Sequence, residues 1–141
     1  MNPRDLEIAK KSLFEKNLTL CIVKDGKVVF ESRTQGIAPF VEAVEKFKVR
    51  LEGSSAADKV VGKPVAMLCV YARLEAVYAS TVSVEAVELL NKCSIHLEYG
   101  LLVERILRAD KKGVCPFDRL MRGVTDPVDA YRKLKDTFTS K

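Results

Sequence analysis

The sequence predicts an α/β protein in three layers, a mixed β-sheet begun by a β-hairpin and covered by helices on both faces. Three observations carry this. Asp25-Gly26 stands between two short runs rich in apolar and β-branched residues, the pattern of a two-residue hairpin turn. Beyond the hairpin, strand-like and helix-like segments alternate, which calls for crossover connections and parallel strand pairs. Pro64 to Ala72 is apolar nearly all round, as suits a helix packed against a sheet in the middle of a domain.

The first helix opens at Asn2-Pro3-Arg4-Asp5, where Asn can cap, Pro suits the first helical position and Asp5 complements the positive helix end. Leu6, Ala9 and Leu13 form its apolar stripe, which fades near Asn17. Strands follow over Leu18–Lys24 and Lys27–Arg33. Gly36 to Glu52 reads as a helix with Pro39 near its start, and Gly53-Ser54-Ser55 ends it. Ser55 and Asp58 stand three apart ahead of an apolar run, the spacing of a capping box, so a helix is expected from near Ala56. Pro64 lies inside that helix and should kink it, because proline removes a donor and displaces the Val60 carbonyl.

A third strand is expected over Glu75–Val82, then a helix capped by Ser83 and running to about Lys92. Ile95–Tyr99 reads as a fourth strand, Leu101–Leu107 as a short helical segment and Ala109–Val114 as a polar loop. Cys115-Pro116 and Asp126-Pro127 open two closing helices, the last with Val128, Tyr131, Leu134 and Phe138 on one face. No repeat and no long linker divides residues 1–141, so a single domain is expected.

Composition narrows the class. With 141 residues, 48% hydrophobic and 30% charged, the chain can bury a core without disulfides, and disorder, collagen-like and disulfide-scaffold classes are excluded. No apolar run approaches the ~18 residues of a membrane-spanning helix, and MNPRDLEIAKK has no signal-peptide core, so a cytoplasmic protein without membrane attachment is expected. Of the net charge of +5, +4 resides in the tail: residues 108–141 hold nine Lys/Arg against five Asp/Glu. Those basic residues alternate with Asp110, Asp118, Asp126, Asp129 and Asp136, the mark of a solvated helix face, so nucleic acid is disfavoured as a partner. Cys21, Cys69, Cys93 and Cys115 form no C-x-x-C and the chain has one histidine, His96; no zinc site and no cofactor are expected. Cys21, Cys69 and Cys93 read as small core residues.

The run Ala57-Asp58-Lys59-Val60-Val61-Gly62-Lys63 leads the apolar helix, Val77-Tyr78-Ala79-Ser80-Thr81-Val82-Ser83 follows, and Gly113-Val114-Cys115-Pro116 precedes the closing Asp126-Pro127 helix. From about Leu18 to Leu134 this resembles a prokaryotic domain-of-unknown-function family with the cytidine-deaminase-like fold and no assigned reaction. Zinc deaminases carry His/Cys-x-Glu at the start of the helix after the hairpin and Pro-Cys-x-x-Cys at the next helix start. The equivalent stretches here should be Ser55–Asp58 and Thr81–Ala86, which contain neither His nor Cys. The resemblance therefore implies a deaminase-like domain without the metal chemistry, and homodimerisation only by analogy.

Two constellations stand out. Cys115 opens a helix where its counterparts Asn2 and Asp126 supply strong caps, which sets a thiol beside free backbone N–H groups and favours the thiolate. Asp58, Lys59, Gly62 and Lys63 gather at the other expected helix start, with Gly62 permitting close approach and the helix end favouring an anion. His96 and Glu98 share a strand face, where a lone histidine is more often structural than a base. The first reading is a metal-free domain that binds a small anionic or nucleotide-like ligand through Lys59, Gly62 and Lys63. The alternative is a thiol-dependent enzyme with Cys115 as nucleophile or redox centre and Asp58 or His96 as its proton-handling partner. Whether a reaction is catalysed at all, the residues leave open.

Overall fold

The computed structural model describes residues 3–107 and 116–139. Helix α1 (Pro3–Glu15) leads into the hairpin β1 (Leu20–Lys24) and β2 (Lys27–Ser32), then α2 (Ala38–Phe47) and a 3-10 turn at Lys48–Leu51. Three further strands, β3 (Ser55–Val61), β4 (Ala76–Ser83) and β5 (His96–Val103), alternate with α3 (Lys63–Tyr71) and α4 (Val84–Lys92). Short α5 (Pro116–Leu120) and α6 (Pro127–Thr139) close the chain. The strands form one mixed sheet in the order β2-β1-β3-β4-β5, antiparallel through β2, β1 and β3 and parallel through β3, β4 and β5.

Alternation along the strands divides the core. Leu20 and Ile22 join Ala56, Val77 and Ala79 beneath α2, α3, α4 and α6, whereas Cys21 and Val23 join Ala57, Ala76 and Tyr78 beneath α1. This is the three-layer arrangement expected. The hairpin turn is also as expected: Asp25 and Gly26 both take positive φ, 52° and 79°, as a turn matched to the strand twist requires. Asp5 does more than complement a helix end. It is 2% exposed, and its carboxylate accepts the N–H groups of Asp25 and Gly26 at 3.0 and 2.8 Å, fixing the hairpin tip to α1.

The segment 55–61 is a strand, not the start of a helix. Its alanines favour a helix locally, but Ala56 and Ala57 are fully buried on opposite faces between β1 and β4, a place that only small side chains on an extended chain can fill. The Ser55/Asp58 capping box is therefore absent; the Ser55 hydroxyl is buried with no partner, and Asp58 accepts the N–H of Val60. Pro64 makes no kink, because α3 begins at Lys63 and places Pro64 in its first turn, where the missing donor costs nothing. The apolar reading of α3 holds, with Pro64 through Cys69 all buried.

Two further expectations change. β5 runs through Gly100 to Val103 in place of a helix from Leu101, because Gly100 lies where a Cβ would stand 3.0 Å from the Ser80 carbonyl oxygen, a close strand approach rather than a break. Cys93 caps the end of α4 and is exposed, unlike buried Cys21 and Cys69. Ser83 caps α4 as expected, its hydroxyl accepting the N–H of Ala86 at 3.2 Å. On α6, Leu134 is buried and Tyr131 stacks on Tyr71 with ring centroids 4.4 Å apart. Its basic residues Arg132 and Lys135 approach Asp129 and Glu45 at 3.8 and 3.2 Å. No helix among the described residues is long and apolar enough to cross a membrane.

Candidate functional site

Two helices start beside each other at one end of the sheet, and both starts have the same local cause. Gly36-Ile37-Ala38-Pro39 and Gly62-Lys63-Pro64 each put a glycine ahead of a proline in the first helical turn. Gly36 needs its glycine, with φ at +92°. Between these starts and the C-terminal end of β3 lies a cavity of about 630 Å³. Its apolar walls are Ile37, Val60, Pro64, Val65, Ile106 and Phe117, and its polar groups come from Thr19, Gln35, Asp58, Lys59 and Asp118. A cavity of this size and mixture, outside the carboxyl end of a strand, is the ordinary form of a small-molecule site in α/β proteins.

Asp58 is the half-buried carboxyl of this cavity. Desolvation pushes its carboxyl up to about 7, against the N–H groups of Val60 and Lys59, which favour the charged form. A carboxylate has about four acceptor positions, so two backbone donors leave capacity for a ligand. A carboxyl that titrates near neutrality can also give and take a proton, the basic requirement for acid–base work.

Asp118, from α5, occupies the start of α3. Its carboxylate accepts the backbone N–H groups of Lys63 and Ile106, and a Cβ on Gly62 would stand 2.7 and 3.3 Å from its two oxygens. Desolvation first, and the charge of Glu85 second, raise this carboxyl to about 6, while the two N–H groups and the Lys63 ammonium act the other way. The close approach foreseen at Gly62 is therefore made by the chain's own carboxylate.

Of the residues singled out by sequence, Asp58, Lys59 and Gly62 line the cavity together. Lys63 turns away, its ammonium donating to the Met121 carbonyl at 2.8 Å, and Lys59 is exposed, its ammonium 3.3 Å from Asn17 Oδ1. Cys115 lies outside the described residues, as do Asn2 and the polar loop expected over Ala109–Val114. His96 bonds Glu98, 3.1 Å from Nε2 to Oε2, exposed on β5 and apart from the cavity lining. Sequence reasoning missed Asp118, Gln35 and Ile106. The repeated glycine-then-proline start at Gly36 and Gly62 was a usable signal for the two-helix corner; nothing local marks Asp118 as the residue that closes it.

The sequence pattern of the family described as Domain of unknown function (DUF1893) matches residues 8–138. The chain belongs to this family. A DUF1893 family protein from Thermotoga maritima is 30% identical, with a TM-score of 0.88 over 97% of this chain and 92% of that one. More distant likenesses include RibD from Acinetobacter baumannii, 22% identical with a TM-score of 0.48 over 70% of this chain and 33% of that one. The dCMP deaminase from the cyanophage S-TIM5 is 17% identical with a TM-score of 0.49, over 70% of this chain and 99% of that one. Among curated proteins none matches. The family read from the sequence is thus found.

The topology corrects which stretches are compared with the zinc motifs of deaminases. The helix after the hairpin is α2 and the next is α3, so the relevant starts are Gly36–Pro39 and Gly62–Val65, not Ser55–Asp58 and Thr81–Ala86. Neither start contains His or Cys. Among the described residues no group of three or more His, Cys, Asp or Glu is placed to hold a metal, and the two cavity carboxyls are held by backbone N–H groups. The described residues therefore do not fit a zinc ion, which takes three or four such donors.

Proposed function

We propose that this domain binds a small, flat, nucleotide-like ligand in the cavity between α2 and α3, with Asp58 accepting N–H donors from its heterocyclic part. The observation that carries this is the desolvated Asp58 carboxyl facing a cavity whose walls are otherwise largely aliphatic and aromatic. A planar ring buries apolar area against Ile37, Val65 and Phe117 while its edge donors pair with the carboxylate. An anionic substituent, if the ligand has one, is served by Lys59, whose side chain is exposed beside the cavity. The α3 start does not serve it, because Asp118 already takes that place and like charges repel.

Calorimetric titration with nucleobases, nucleosides and nucleoside monophosphates tests the reading. Saturable binding of at least one, weakened about tenfold or more by Asp58→Asn, is expected, since a hydrogen bond to a charged group contributes about 1.5–3 kcal/mol. Binding insensitive to Asp58→Asn, or no binding across the set, would refute it.

A further inference from the structure

The two edges of the sheet are guarded differently. β2 carries Lys27 and Glu31, the latter 3.3 Å from the Lys16 ammonium, and its pairing with β1 is broken by a register shift between Ile22 and Val23. Charges and bulges are the usual means of keeping a sheet edge from pairing with another chain. β5 has none of these over its second half. It pairs with β4 alone among the described strands and runs for eight residues in unbroken register. It contains no Lys, Arg or Pro, and exposes Tyr99, Leu101 and Leu102 at 45%, 58% and 45%.

We propose that β5 is the site of self-association: two copies of this chain pair antiparallel through β5 about a two-fold axis at Gly100, joining their sheets into one. The distribution of residues along the strand argues for a second copy and for this direction. An antiparallel pair centred on Gly100 sets Tyr99 opposite Leu101 of the partner and Leu97 opposite Val103. Successive side chains alternate, so Leu97, Tyr99, Leu101 and Val103 share a face and meet the same apolar row of the other copy. The residues that carry charge near neutral pH, His96 and Glu98, lie in the first half of the strand. Antiparallel pairing separates the two Glu98 positions by four residues, about 13 Å, whereas a parallel pair in register would put them side by side. The four central residues Tyr99–Leu102 bring no charge to the axis, so a strongly charged partner finds nothing complementary there.

Light scattering and sedimentation on the full chain, over micromolar to hundred-micromolar concentrations, give the test, together with amide hydrogen exchange resolved along β5. The expected result is a dimer at twice the monomer mass. Leu101→Lys, at an exposed position, should shift its midpoint at least tenfold upward in concentration while leaving the circular dichroism and melting of the monomer in place. Exchange at the outward amides of Leu97–Val103 should slow as the dimer fills. A chain that stays monomeric throughout, or a dimer whose β5 amides exchange at the same rate at low and high concentration, overturns the proposal. The exchange readout on the unsubstituted chain decides the matter even if Leu101→Lys misfolds.

Discussion

Adding one methyl group at Gly62 tests the geometry of the site directly. Gly62 has extended backbone, φ −104° and ψ −170°, so alanine brings no conformational strain of its own. The new Cβ would stand 2.7 Å from Asp118 Oδ1 and 3.0 Å from Ile106 Cγ1, both inside contact distance. Asp118 is the end of a short side chain held by the N–H groups of Ile106 and Lys63, so yielding means lengthening or losing those charge-assisted bonds. The expected cost of Gly62→Ala is about 1–3 kcal/mol, the range for overpacking and for a lost hydrogen bond to a charged group. Urea unfolding at pH 8 measures it. The decisive comparison is the same substitution in an Asp118→Ala background, where the carboxylate is gone and only the Ile106 contact remains. There the cost should fall by at least about 1 kcal/mol, a coupling expected only of residues in contact. Equal costs in the two backgrounds would refute the reasoning, because the clash would then not be with Asp118.

Other outcomes follow from the same structure. Asp5→Ala should destabilise the fold by about 2–4 kcal/mol and Asp5→Asn by less, since Asn keeps one acceptor for the hairpin N–H groups; equal losses in urea unfolding would count against the clamp. Asp58 and Asp118 have folded carboxyls raised to about 7 and about 6, above their unfolded values, so the native state holds more protons between about pH 4 and 7. Both groups therefore favour folding at low pH, and stability attributable to them should fall as pH rises through that window. Asp58→Asn should accordingly stabilise more at pH 8 than at pH 5, and the opposite order in paired melts would contradict the desolvation argument. In native alkylation followed by peptide mass mapping, Cys93 should react before buried Cys21 and Cys69, whose thiols burial pushes up. Labelling of Cys115 ahead of Cys93 would favour the thiol-dependent reading, and labelling after all three would remove it.

What the sequence determined by itself is what short stretches of chain decide. Asp25-Gly26 fixes the hairpin through φ > 0, Ser83 fixes the start of α4 through its cap, and the all-round apolar run after Gly62 fixes α3 as the central helix. Each depends on neighbours within a few residues, so each leaves a local pattern. The absence of sulfur and imidazole at the two helix starts is likewise legible, even though local pattern points to Ser55–Asp58 and Thr81–Ala86 in their place. Tertiary structure alone decided that Ala56 and Ala57 extend, because their helix propensity is outweighed by burial between β1 and β4. It alone carried β5 through Gly100, since the reason lies across the sheet at the Ser80 carbonyl. It also brought Asp118 to the start of α3, across 55 positions of chain, where its carboxylate meets the N–H of Lys63. A contact of that separation is set by how the layers pack. No periodicity or cap near Asp118 records it, so the helix start that reads as an open anion site is one the fold has already filled.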